Sequence, residues 1–166
     1  DQMPQFVDGR NFINIDSGPA APHCESYASG YCVAFVSVDP RFFDVVGAPV
    51  TRGRALTMAD AEQRARVVLV NECFVDQVLR GSNPIGRRFR FASKSEAIAE
   101  SWHEIVGVVP DLSTSCTGAD YGRTRIYHAT LPRETATLRV AIHTRGDPER
   151  FAVPARYASN GERPRP

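Results

Sequence analysis

Residues 67–81 read Val67-Val68-Leu69-Val70-Asn71-Glu72-Cys73-Phe74-Val75-Asp76-Gln77-Val78-Leu79-Arg80-Gly81. Four consecutive apolar residues with no polar alternation suit a short strand covered on both faces. Asn71 then offers a side-chain oxygen to the first unpaired amides of a helix. Phe74, Val75, Val78 and Leu79 recur at helical spacing and form one apolar stripe. Gly81 ends the helix, because a residue without Cβ turns left-handed at little cost. A buried strand that runs straight into an amphipathic helix is the unit from which the rest of the fold is read.

Upstream, 33–38 is apolar except for Ser37 and reads as a strand, which Asp39-Pro40 punctuates. Residues 41–46 predict a short helix burying Phe42, Phe43 and Val46, closed by Gly47. Thr57-Met58-Ala59-Asp60 has the spacing of a capping box, followed by a short polar helix to about residue 64. Downstream, Asn83-Pro84-Ile85-Gly86 is a turn, and strands are expected at 87–91 and 102–109 around a polar stretch, 93–101. Leu138, Val140 and Ile142 alternate with Arg139, Ala141 and His143, as a half-buried strand does. Asp147-Pro148-Glu149 starts a last helix that Pro154 breaks. The expected class is α+β: a mixed or antiparallel sheet covered by a few short helices, in two closely joined subdomains at most. The expected organisation is a single domain over 1–166, with a loop-rich segment at 1–32, an α+β core at 33–151 and a tail at 152–166.

With 166 residues, 42% of them hydrophobic and 23% charged, the chain is long and apolar enough for a packed core. Twenty basic residues against nineteen acidic ones leave a formal net charge of +1, which gives no support for nucleic-acid binding. Arg88 and Arg90 would share the solvated face of a strand whose other face carries Phe89 and Phe91. No stretch approaches the roughly 20 apolar residues that span a bilayer, and DQMPQFVDGR lacks the apolar centre of a signal peptide. Those two absences fit a cytosolic protein, and equally a segment of a longer membrane protein.

The chemical motifs are missing. No nucleophile elbow, phosphate loop or dinucleotide fingerprint is present, and neither metal nor cofactor is expected. His103-Glu104 lacks the second histidine of a zinc helix and falls in a strand. Cys73, near a helix N-terminus, reads either as an activated thiol or as a small buried residue. Asp111 and Asp120 read as turn formers. Trp102 reads as a core or sheet-edge residue, beside the alternative that it lines a pocket with Tyr121 and Tyr127. Cys24 and Cys32 flank a sequence able to turn; a disulfide there and two buried thiols both fit the spacing.

Several phrases, in order, resemble the extracytoplasmic core domain of MacB-type ABC-transporter permeases. They are Val36-Ser37-Val38 with the aromatic pair Phe42-Phe43, then Arg52-Gly53-Arg54 with Asp60 closing the cap. Next come Val67–Glu72 with Asn71, the Pro84-Ile85-Gly86 turn, and Ile105-Val106-Gly107-Val108. Arg125-Ile126-Tyr127 and the strand at 138–144 fit the family's last strands. Gly53, Arg54, Asp60, Asn71, Pro84, Gly86 and Gly107 are thereby structural motif residues. The polar insertion 93–101 and Ala48-Pro49-Val50 depart from the family pattern, and 1–32 matches none of it.

The resemblance implies a non-catalytic periplasmic part of an inner-membrane permease, placed between transmembrane helices. It would transmit conformational change and engage a partner or substrate during export or lipoprotein release. The implied partners are the transmembrane helices of the same permease, a periplasmic adaptor or second permease copy, and a cytoplasmic ATPase domain or subunit, with no nucleic acid. An oxidising compartment makes a Cys24–Cys32 disulfide the implied pairing. Two other readings stand beside it. One is a secreted cysteine-dependent hydrolase using Cys73 or Cys116 with His103, His128 or His143, and the other is a small-molecule or peptide-binding domain.

Overall fold

The computed structural model describes residues 9–16, 30–91, 101–112, 123–134 and 145–146. Seven strands and three helices follow one another: β1 (Gly9–Ile15), β2 (Tyr31–Val38), α1 (Phe42–Val45), β3 (Arg52–Gly53), α2 (Met58–Glu62), β4 (Val67–Asn71), α3 (Glu72–Gln77), β5 (Arg88–Phe91), β6 (His103–Val109) and β7 (Arg125–Ala129). The expected strand at 138–144 and helix at 147 lie outside the described residues. No described helix is long and apolar enough to cross a membrane.

The sheet runs β3-β6-β4-β7-β2-β1-β5, and β5 returns to pair with β6. Six strands therefore close into a barrel, with β3 as a short extra strand on the far half of β6. The pairing is mixed. β2 lies parallel to β7 and β4 parallel to β6, whereas β1–β2, β1–β5, β4–β7, β3–β6 and β5–β6 are antiparallel. The α+β class and the mixed sheet are as the sequence predicts, but the sheet is closed on itself rather than open with helices on one side. Closure leaves those six strands without a free edge.

Two packed clusters explain the closure. Ile13, Val33, Val68, Val70, Phe89, Ile105 and Ile126 come from six different strands, so the face they share is the barrel interior. Phe74 and Val75 of α3, with Val78 and Leu79 just after it, join the same cluster and complete it at one end. The second cluster lies outside: Val36, Val38, Leu69, Val109 and Tyr127 on strands meet Phe43, Ala48 and Leu56 from the α1 segment and the stretch after it. β4 thus buries Val68 and Val70 inward and Leu69 outward, which is why its sequence shows no polar alternation. Each such side chain stabilises the fold by about 1.5–3 kcal/mol when fully buried.

The β4–β6 register slips between Val68 and Leu69, since Val68 pairs with Ile105 but Leu69 with Gly107. The bulge lets Ile105 and Val108 both belong to the inner cluster although an odd number of positions separates them.

Candidate functional site

Three constellations carry the polar chemistry of the described residues. The first joins the strand–helix unit to two other strands. Asn71 is 2% exposed, and all its hydrogen-bonding capacity is used. Its Oδ1 accepts from the Phe74 amide at 3.2 Å, capping α3, and from the Arg125 amide at 2.8 Å, fixing the start of β7. Its Nδ2 donates to Asp111 Oδ1 at 2.5 Å and to the Arg123 carbonyl at 2.7 Å. Asp111 Oδ1 also accepts from the Cys73 amide at 3.1 Å. Asp111, expected as a turn former, is therefore an anchor for the chain leaving β6. The sequence shows the cap at Asn71 but not the three long-range bonds, because their partners lie 40 to 54 residues away.

The second constellation is the capping box of α2. Thr57 Oγ1 accepts from the Asp60 amide at 3.1 Å, and Asp60 Oδ2 accepts from the Thr57 amide at 2.8 Å. The Arg54 guanidinium grips the same carboxylate with both nitrogens, at 2.7 and 3.1 Å. Hydrogen bonds from Arg54 first, helped by those from Thr57, hold the Asp60 carboxyl down at about 2. Gly53, one residue before Arg54, faces Gly107 across β3 and β6. A Cβ on Gly53 would overlap the Val106 carbonyl and one on Gly107 the Arg54 carbonyl, so only glycine permits this approach. Gly86 sits at φ +80 in the turn that Pro84 opens, and its amide bonds the Ile105 carbonyl at 2.9 Å.

The third lies at the end of the barrel away from α3. Ser37 Oγ and His128 Nε2 are 2.6 Å apart on neighbouring parallel strands. His128 stacks on Phe35 at 4.5 Å, Phe35 meets Phe91 edge-on at 5.1 Å, and His103 lies against both Phe91 and Phe89. Next to this mouth, Trp102 is 38% exposed, with the Arg88 and Arg90 guanidiniums 5.7 and 5.4 Å from its ring. It is the exposed residue just before β6 rather than a core residue, and Arg88 and Arg90 occupy the outer face of β5 as their alternation predicts.

The cysteines correct the sequence reading. Cys32 is a thiol, so the expected Cys24–Cys32 disulfide is not formed; Cys24 itself lies outside the described residues. Cys32 is the second residue of β2, paired opposite Phe12, and its carbonyl accepts from Thr124 Oγ1 at 3.1 Å. Cys73 is disulfide-bonded, and a sulfur so bonded is not a thiolate nucleophile. Cys116 and His143 lie outside the described residues. Among the described residues, no three His, Cys, Asp or Glu side chains gather as a metal site.

The residue motifs, α3 and all of the mixed barrel but the first two residues of β1 fall within the stretch covered by one family. The model of the MacB-like periplasmic core domain matches residues 11–156. The chain belongs to this family. It is thus the periplasmic or extracellular domain of an ABC-type permease, a membrane protein. Among solved structures, this MacB-like domain is similar to the periplasmic region of MacB from Actinobacillus actinomycetemcomitans. The TM-score is 0.52 at 18% identity, over 96% of this chain and 70% of that one. It is also similar to the extracellular domain of the ABC-type transporter YknZ from Gram-positive bacteria. There the TM-score is 0.44 at 16% identity, over 75% of this chain and 55% of that one. At such identity the MacB structure speaks for the fold alone. No curated protein is matched by sequence.

Proposed function

We propose that this MacB-like domain is a single, non-catalytic relay that moves as a rigid unit and engages a partner or substrate while its permease works. The observation that carries this reading is the closed barrel with Asn71 at its seam. One side chain bonds β4, α3, β7 and the segment after β6 together. A shell without free edges, with strands tied across their ends, passes displacement on instead of absorbing it. Family membership supports the setting: an ABC permease needs its energy-coupling motion to reach its outer part. A cytoplasmic ATPase, the permease's transmembrane helices, and a periplasmic adaptor or second permease copy are the partners this role requires.

The test uses the full permease in membranes, with spin labels at exposed Met58 and Val45. Distances between the two labels of one domain should be the same with and without ATP. Distances between labels on separate permease copies should shift. Intradomain distances that change with nucleotide, or intercopy distances that do not, would refute the rigid-relay reading.

A further inference from the structure

We infer that the barrel mouth opposite α3 is an acid-sensitive latch, closed while His103 is neutral and loosened when it takes a proton. His103 points into the barrel on the same face of β6 as Ile105. Its ring is sandwiched by aromatic neighbours on β5, stacked on Phe89 at 5.3 Å and edge-on to Phe91 at 5.4 Å. Its Nδ1 is buried and makes no hydrogen bond among the described residues. The Ser101 backbone is the polar group that supports the ring. A neutral imidazole tolerates this, because an unprotonated nitrogen needs no acceptor. An imidazolium carries N–H on both nitrogens, and the second would be a buried donor facing rings.

The charges around it point the same way. Arg66, immediately before β4, and His128 on β7 are the groups whose charge acts on His103, and both disfavour a proton there. The neighbouring Glu104 alternates to the outer face of β6, where it acts on Arg54. Arg88 and Arg90 stand on the outer face of β5. From β1 and β2 the inward residues include Ile13, Ile15, Tyr31, Val33, Phe35 and Ser37, with no carboxylate, imidazole or cationic side chain among them. Burial first, then the charge of Arg66 and the nearby His128 ring, lowers the His103 proton affinity below the ordinary value.

A proton on His103 would therefore be relieved by swinging the ring out toward water. That breaks its contacts with Phe89 and Phe91, and Phe91 is the ring that braces Phe35 and, through it, His128 and Ser37. The mouth would loosen while α3 and the Asn71 seam, at the other end, stay closed. A domain outside the cytoplasmic membrane meets the pH of its surroundings, so such a latch would couple the relay to acidity.

Trp102 is the chain's one tryptophan and the residue before His103, so its fluorescence reports on the mouth. In the 166-residue chain, emission should change sigmoidally between pH 8 and pH 5, with its midpoint below about 6.5, while far-UV circular dichroism stays constant. His103→Phe, which keeps the ring contacts and removes the titration, should give a flat profile. Flat emission in the natural chain, a transition retained in His103→Phe, or one that coincides with loss of circular dichroism would overturn the inference. If His103→Phe fails to fold, the imidazole carbon–proton NMR signals of the natural chain decide. A His103 midpoint at or above 6.5 would then sink it.

Discussion

Asp60 shows how much one residue does when four local bonds converge on its carboxylate. Its carboxylate closes the α2 cap and holds Arg54, which in turn follows the glycine pair that lets β3 approach β6. Asp60→Ala should destabilise the domain by about 1 kcal/mol, the usual worth of a cap, measured by urea unfolding. Because the folded carboxyl lies at about 2, below its unfolded value of 3.8, the folded state binds its proton less readily. The contribution is complete above the unfolded value and is lost as pH falls through about 2. The gap between the natural chain and Asp60→Ala should therefore narrow steadily over that window; a constant gap would mean the carboxylate's charge is irrelevant. Asn71 is the contrasting case, a buried neutral amide whose side chain makes four bonds without carrying a charge of its own.

At the scale of elements, the glycines separate by what surrounds them. Gly107 faces the Arg54 carbonyl, and a Cβ there would also come within 2.7 Å of Leu69 Cδ2. A backbone oxygen cannot move aside as a flexible side chain can, so Gly107→Ala must push β3 off β6. We expect a loss of about 1–3 kcal/mol, as for other overpacked sites. Gly86→Ala meets nothing within 4 Å and should cost only about 1 kcal/mol, the strain of a left-handed backbone. Thermal denaturation of the two variants side by side checks the order; equal losses would show that the close approach of β3 does not matter. The bulge at Val106 belongs to this scale too, since it switches which residues of β6 face inward.

For the whole molecule, closure predicts an uneven distribution of stability. β4 is paired on both edges, by β6 and β7, and covered on both faces, so its amides open only with the barrel. α2 is five residues long and buries only Ala61. Hydrogen exchange followed by mass spectrometry should find 67–71 the slowest segment among the described residues and 58–62 much faster. Comparable rates would mean the barrel does not act as one cooperative unit.

The local units were legible in the order of the amino acids alone. The strand 67–71 with its helix, the Thr57–Asp60 cap, the 83–86 turn and the alternation of 88–91 were all readable, because their causes lie within a few residues of one another: apolar spacing, capping side chains and turn residues. The order of these units was enough to suggest the permease family. The remaining features came from long-range packing. It closed the sheet into a barrel, because closure depends on β5 meeting β6 and no local pattern encodes that pairing. It formed the short strand β3, whose two residues carry no periodicity, and kept Cys32 as a thiol inside a ladder. It made Asn71 a seam through partners 40 to 54 residues distant, and it gathered Ser37, His103 and His128 at one mouth from three strands. Each of these rests on contacts between residues far apart in the chain, whose pairing is chosen by the free energy of the whole packed barrel.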